Sequence, residues 1–343
     1  MQAPAFPRLV TALTQGSRVP SSRFRVMQHV DHLQARGLFV NHLPARFGAY
    51  PPMGLARRAA WFPAAVADAV RRTLATHSSS VCLLQRELVS TLRTAERLIR
   101  CPLVFDVDDA IYLHRRGAQS DAIARQARLV ICGNRVLAEH YDDLAPVAVL
   151  PTAVDTTRFV PADTDTRSSP VIGWSGSSSG FAYLESIQLA LARVLARHEQ
   201  ARLVIMAERP PALPRLPQQR VQFIPWSEGA EVSVLQTFTV GLMPLVDDAW
   251  SRGKCSFKML TYMACGVPVV VSPVGMNADV LAMDELGYGP RSEDEWVDAI
   301  DAILADASLG HRMGQRGRAV AEAHFSCDVI APRLAELLIR AAT

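Results

Sequence analysis

Eleven short apolar runs rich in β-branched residues alternate with helix-periodic stretches along the 343 residues, and this alternation restricts the fold more than any other feature. In the first half the runs are RLVTAL (8–13), LFVNHL (38–43), SVCLL (80–84), PLVFD (102–106), RLVIC (128–132) and VAVLP (147–151). The second half repeats the plan with VIGWS (171–175), RLVIMA (202–207), VQFI (221–224), VGLMP (240–244) and VPVVVS (267–272). Runs that are apolar almost throughout, not at every second position, suit strands covered on both faces, hence parallel sheets flanked by helices. Between them, Val26, Val30 and Leu33 predict one helix face ending at Gly37, and Leu184, Ile187, Leu191 and Val194 predict another. Two sets of strands predict two doubly wound α/β domains, joined by the polar, proline-terminated TDTRSSP (164–170). The tail reads as helical. Ser292 and Glu295 have capping-box spacing ahead of Trp296, Ile300, Ile303 and Leu304, and a last helix over roughly 332–340 starts at Pro332.

Composition narrows the class. Apolar residues make up 49% and charged residues 20%, which is globular. No apolar run is long enough to span a bilayer, and the opening MQAPAFPRLVTALTQG lacks the order of a signal peptide. Six cysteines (82, 101, 132, 255, 265 and 327) show no metal-binding spacing and read as thiols of a reducing cytoplasm. The net charge of +3 is unevenly divided: residues 1–160 hold 20 Arg against 12 acids, and residues 161–343 carry a net −5. The basic half is expected to meet something anionic, a membrane surface or a phosphate-bearing substrate. Nucleic acid is not expected, because no recognition motif accompanies the charge. Residues 41–77 combine five Arg and one Asp with Phe47, Tyr50, Trp61 and Phe62, a pattern shared by interfacial membrane segments and by solvated helix faces.

In open parallel sheets, ligands bind beyond the carboxyl ends of the strands, where helix N-termini gather. Several such turns carry candidate chemistry. In WSGSSSGFAYLESI (174–187), Gly176, Ser177, Ser178 and Ser179 offer amides and hydroxyls to a phosphate, although an ordinary βα loop fits equally; the spacing is not Gly-x-Gly-x-x-Gly. SFKMLTYMAC predicts a helix capped by Ser256 and closed by Gly266, with Lys254 and Lys258, the only lysines of the chain, at its head. Two cations there oppose the helix dipole unless an anion binds. FDVDDAIY (105–112) ends a strand with Asp106, Asp108 and Asp109. A divalent metal, a haloacid-dehalogenase-like phosphatase strand and an acidic rim that orients hydroxyls are each compatible, as is Asp109 capping the next turn. Gly16, Arg23 and Arg25 follow the first strand, Arg86 and Glu87 the third, and Trp226 ends VQFIPW, where an indole could stack a nucleobase or pack in a core.

KCSFKMLTYMACGVPVVVSPVG resembles the donor-site segment of the retaining group-1 glycosyltransferases of the GT-B fold, a helix ending before Gly, then Pro-Val-Val and a small-residue turn. NRVLAEHY…VLPTAVDTTRFVP (134–161) is similar to the end of that family's first domain, and VIGWSGSSSGFAYL to the start of its second. QRE, FDVDDAIY and RGKCSFK together resemble a bacterial subgroup.

The resemblance implies an α/β GT-B architecture of two Rossmann-like doubly wound parallel-sheet domains facing across a cleft. Residues 1–163 would bind the acceptor, 164–327 the nucleotide-sugar, and 328–343 would form a helix returning to the first domain. It implies a metal-independent transferase without a cofactor, acting on a glycan or lipid-linked acceptor in surface polysaccharide or glycoconjugate synthesis. The cysteines and the basic first half add the expectation of a cytoplasmic protein in peripheral contact with the inner face of the membrane. Asp108, Asp109, Lys254 and Lys258 are the catalytic candidates. Gly176, Ser177, Ser178, Ser179, Trp226, Ser256 and Tyr262 join the lysines at the donor, and Gly16, Arg23, Arg25, Arg86 and Glu87 serve the acceptor. The chain departs from the family where a Glu-x7-Glu pair is usual: Gly253 and Thr261 stand there. Ser177 or one of its neighbours stands in place of a diphosphate-binding Arg, and Asp108 and Asp109 occupy the neighbourhood of a usual His. The two lysines are the expected replacement for the lost charge. A GT-B-fold epimerase or phosphorylase, and a non-catalytic partner that kept the fold, are the alternatives.

Overall fold

A computed structural model describes residues 8–163 and 169–343, apart from residues 91 and 93. The opening seven residues and most of the expected linker lie outside the described residues. All eleven expected strands form: β1 (Arg8–Thr14), β2 (Leu38–Pro44), β3 (Val81–Gln85), β4 (Leu103–Val107), β5 (Leu129–Cys132), β6 (Val147–Val149), β7 (Val171–Ser175), β8 (Arg202–Ala207), β9 (Val221–Pro225), β10 (Val240–Met243) and β11 (Val269–Val271). A two-residue β12, Gly287–Tyr288, is added, too short to leave a pattern in the sequence. They build two six-stranded sheets, ordered β2-β1-β3-β4-β5-β6 and β12-β11-β10-β7-β8-β9. Every pairing is parallel.

The chain divides into two compact units. One comprises Met1–Ala153, Gly253–Cys255 and Cys327–Thr343, the other Val154–Arg252 and Ser256–Ser326. In the first unit, Val10, Val81, Leu83, Val104 and Ile131 of the sheet bury with Ile330, Leu334 and Leu338 of the C-terminal helix Cys327–Ala342. In the second, Ile172, Leu203, Ile205 and Leu242 pack with the helices Gln188–Arg197 and Glu293–Ala305. Fully burying such a side chain contributes about 1.5–3 kcal/mol. Among the described residues no helix is long and apolar enough to cross a membrane.

The helices depart from expectation in three places. The Val26–Leu33 stretch breaks into short pieces, Pro20–Arg25, Met27–His29 and Val30–Gln34, with Val26 at a non-helical φ of −128°. The next predicted helix breaks at Ile187 (φ −104°, ψ 12°), between Phe181–Ser186 and Gln188–Arg197. The last helix begins at Cys327, not Pro332. Pro332 forfeits the bond back to the Asp328 carbonyl and crowds that carbonyl, while Cys327, Ile330 and Ala331 gain burial. The capping at Ser292 holds, its hydroxyl accepting from the Glu295 amide at 3.2 Å, but Glu295 reaches back to the Arg291 amide instead of that of Ser292.

Candidate functional site

In the second sheet the chain moves outward from β7 to β8 and β9, then returns to the far side of β7 for β10. The strand order reverses there, and the crevice beyond the carboxyl ends of β7 and β10 is the natural ligand position. Two features meet at it, the Gly176–Ser179 turn after β7 and the helix Phe257–Ala264 that follows β10. A Cβ on Gly176 would stand 2.4 Å from Cε of Lys258, so the turn has no side chain and the lysine stem lies across it. Lys258 Nζ is 5.7 Å from the centroid of the buried Trp174 indole, a cation–π distance.

The turn already carries an anionic oxygen. The Ser178 amide donates to Glu208 Oε1 at 2.7 Å, and the Ser177 and Ser179 hydroxyls share a 2.7 Å hydrogen bond. Burial pushes the Glu208 carboxyl up, but the Ser178 contacts outweigh it and hold it below the usual value. At the head of the helix, Ser256 adopts left-handed backbone (φ +53°) and is 2% exposed. It was expected to cap, yet its hydroxyl makes no cap bond and has no partner. Left-handed geometry aims the side chain away from the first-turn amides that a capping serine serves. Trp226 stands just past β9, 36% exposed, its indole N–H donating to Glu231 at 3.3 Å.

Tyr262 departs from its expected role. It is fully buried, accepts from the Ser175 amide at 2.8 Å and donates to the Leu242 carbonyl at 3.3 Å. Its ring fills the space where a Cβ on Gly241 would stand 2.5 Å away. Tyr262 therefore ties the helix to β7 and β10 and presents nothing to a ligand. Thr261 is buried and its hydroxyl returns to the Lys258 carbonyl. A pocket of about 270 Å³ near the ends of β10 and β11 gathers Asp247, Ser272, Arg291 and Trp296. Asp247, Ser272 and Arg291 carry no motif that sequence reading could have used.

The first sheet reverses order between β1 and β3, so the corresponding crevice lies beyond Gly16 and Arg86. Arg86 sits in left-handed backbone (φ +56°), a strained conformation for arginine. Its Nε donates to Asp108 Oδ1 at 2.6 Å, its Nη2 to Asp109 Oδ2, and its Nη1 to the Tyr50 hydroxyl at 3.4 Å. Gln85 adds a 3.3 Å bond to Asp108. Burial opposes the charge on Arg86, but Asp108 and Asp109 prevail and raise its pKa well above normal. Lys254 Nζ stands 3.9 Å from Asp109 Oδ1. Asp109 does not cap with its side chain; the residue at the cap is Ala110.

Asp106 and Arg25 form a separate buried pair, with Nε–Oδ2 at 3.0 Å and Nη2–Oδ1 at 2.5 Å and both side chains 3% exposed. Arg25 further donates to the Leu150 carbonyl at 2.8 Å. Burial disfavours both charges, and the two-point contact keeps the guanidinium ionised. Arg25, expected at the acceptor, is thus an interior counter-ion of Asp106. Arg23 and Glu87 are also buried, with Arg23 over the Phe24 ring at 4.9 Å, and Gly16 has φ +149°.

Gly253–Cys255 packs with the first unit, although its place in the chain lies within the second. The Asn134 side chain caps the helix Arg135–Tyr141 and donates to the Lys254 carbonyl at 3.0 Å; the Cys255 thiol donates to the Asp108 carbonyl at 3.1 Å. Glycine at 133 leaves room for that thiol, since a Cβ would stand 2.1 Å from it. The two lysines are therefore divided, Lys254 with Asp109 in the first unit and Lys258 with Trp174 in the second. Asn134, Cys255, Tyr50 and Glu208 were missed as site residues. Only Asn134, an amide just ahead of a helix, had a legible signal. Among the described residues no group of three or more His, Cys, Asp or Glu is disposed to hold a metal.

Residues 169–306 match the family model described as glycosyl transferases group 1. No curated protein sequence matches the chain. Among solved structures, sucrose-phosphate synthase from Thermosynechococcus elongatus is similar with a TM-score of 0.72 at 17% identity, over 97% of this chain and 99% of that one. HepE of Anabaena, in complex with UDP and glucose, gives 0.69 at 16% identity over 97% and 100%. WaaG, a glycosyltransferase involved in lipopolysaccharide biosynthesis, gives 0.67 at 12% identity over 96% and 99%. At such identities the likeness is one of fold. The chain has the GT-B fold of these structures, and its match to the group 1 glycosyl transferases covers residues 169–306.

Proposed function

We propose that the chain is a retaining, metal-independent glycosyltransferase that moves a sugar from a nucleotide-sugar to a hydroxyl of a glycan or lipid-linked acceptor, in bacterial surface polysaccharide or glycoconjugate synthesis. The observation that carries this is the Gly176–Ser179 turn with Lys258 laid across it, at the reversal point of a sheet whose sequence matches group 1 glycosyl transferases. The bond from the sugar C1 to the diphosphate oxygen breaks, a bond from C1 to the acceptor oxygen forms on the same face, and the proton of the acceptor hydroxyl passes to the departing diphosphate oxygen. Negative charge grows on the leaving diphosphate, which is the main electrostatic demand of the step. Lys258 and the amides at the head of its helix meet that charge, and the turn hydroxyls and the unpartnered Ser256 hydroxyl offer further donors. Trp226 borders the base. In the first unit, Asp108 and Asp109, held by Arg86 and adjoined by Lys254, orient the acceptor hydroxyl.

HepE was solved with UDP and glucose, which makes UDP-sugars the first donors to try. Thermal shift with UDP-, GDP- and dTDP-sugars should single out one nucleotide, and nucleoside diphosphate should be released only when an acceptor is present. Release that persists in chelator supports metal independence. A melting temperature that no nucleotide moves would favour a non-catalytic partner that kept the fold.

A further inference from the structure

We infer that Cys101 and Cys82, at the amino edge of the first sheet, form a dithiol that hydroperoxides oxidise to a disulfide. This goes beyond the transferase reading and does not depend on it, because the crevices described above lie at the opposite, carboxyl edges of the sheets. Cys82 is the second residue of β3 and pairs in register with Leu103, the first residue of β4. Its amide donates to the Pro102 carbonyl at 2.9 Å, and Cys101 occupies the bend just before that proline. Alternation along β3 turns Val81 and Leu83 toward the C-terminal helix and Cys82 to the other face. There the Cys82 and Cys101 side chains are hydrogen-bonded to each other, and Cys101 also meets Thr76 of the turn Ala75–Ser78.

The two thiols are unequal. Cys82 is fully buried, and burial pushes its thiol well above the ordinary value, so it remains an S–H donor. Cys101 is half-buried. The hydrogen bond from Cys82, helped by the Thr76 hydroxyl and the amides of Cys101 and Cys82, outweighs burial and holds Cys101 down to about 7. The thiolate is the attacking form, and it is favoured where donors surround a partly exposed sulfur. The other cysteines offer no such place. Burial pushes Cys132 and Cys265 up to about 12 and Cys255 well above the ordinary value, and Cys327 is buried. A metal is a poorer occupant of the pair, because among the described residues no group of three or more ligating side chains forms.

The oxidation balances with peroxide alone. The Cys101 thiolate attacks one peroxide oxygen, the O–O bond breaks, hydroxide leaves and the sulfur becomes a sulfenic acid. The Cys82 sulfur then attacks that sulfur. The S–S bond forms, the S–O bond breaks, and the Cys82 proton leaves with the hydroxyl as water. The two thiols supply the two electrons that reduce the peroxide. Cys101 stands outside the β3–β4 register, so its side chain can close on Cys82 while the pairing from Leu103 onward is kept.

Iodoacetamide at pH 7 should alkylate Cys101 of the full chain roughly tenfold faster than any other cysteine. After hydrogen peroxide and blocking of the remaining thiols, tryptic mapping should show peptides 73–86 and 101–115 joined with loss of two hydrogens. Dithiothreitol should part them. Cys101→Ser should abolish the link, and Cys82→Ala should leave a sulfenic acid at Cys101 that dimedone traps. Should either variant fail to fold, the alkylation rates and peptide map of the parent chain decide alone. Equal labelling of Cys101 and the other cysteines would overturn the inference. So would an unlinked map after peroxide, a link to any other cysteine, or a link found only between two chains.

Discussion

At the carboxyl ends of β3 and β4, three aspartates face Arg25, Arg86 and Lys254; Arg25 holds Asp106 at 2.5 and 3.0 Å, Arg86 holds Asp108 at 2.6 Å, and Arg86 also bonds Asp109. At the end of β7 stand four small residues, one lysine over an indole and one glutamate on an amide. The second place lies where strand order reverses, and the first stands one strand beyond the β1–β3 reversal. Yet the first neutralises its charge internally, and the second gathers donors around a turn whose glycine makes room for the Lys258 stem. A site of the first kind holds geometry for a neutral hydroxyl, and a site of the second kind suits a ligand that brings its own negative charge.

The contrast can be broken most forcefully at Asp106. Replacing Asp106 by Ala leaves Arg25 buried and uncompensated, so urea unfolding should show a loss of about 3–5 kcal/mol. A loss below about 1 kcal/mol would mean that water or another group reaches the guanidinium. In the second unit, Lys258→Ala should leave the melting temperature of the free protein nearly unchanged while lowering turnover roughly 100- to 1,000-fold. Unchanged turnover would remove the lysine from the diphosphate. A third test uses His29, which is buried, has an unpartnered Nδ1 and is held down to about 3 by burial, Arg25 and His32. The unfolded imidazole titrates near 6.5, so below that pH only the unfolded chain gains the proton. Stability should be full above about pH 6.5 and fall by about 3 kcal/mol by pH 4. In His29→Leu that slope should flatten, and an unaltered slope would assign it to other groups. The smallest effect is expected at Glu208. Glu208→Gln weakens the internal occupant of the Ser178 amide and should tighten nucleoside diphosphate binding a few-fold in calorimetry. Weaker binding would show instead that the carboxylate shapes the turn.

The inner strands were legible because burial on both faces writes itself as continuous apolar runs. What escaped was decided by local backbone or by distant partners. Ser256 has the composition of a cap, but its φ of +53° removes it from that role. Arg25 and Arg86 both follow strands and look alike as sequence. The structure separates them, because Asp106 lies on β4 in the interior whereas Asp108 and Asp109 lie past the strand's end. The lysine pair looked like a single cationic patch. Three intervening residues, and the bonds from Asn134 to the Lys254 carbonyl and from Cys255 to Asp108, assign its members to different units.

The C-terminal helix Cys327–Ala342 supplies part of the first unit's core. During synthesis the amino-terminal sheet therefore leaves the ribosome with one wall missing, and waits until the whole second unit has been made before Leu334 and Leu338 arrive to close it. The part of the protein that is translated first is the part that can be finished last. A chain that stops short by sixteen residues would lose the stability of its beginning, not its end.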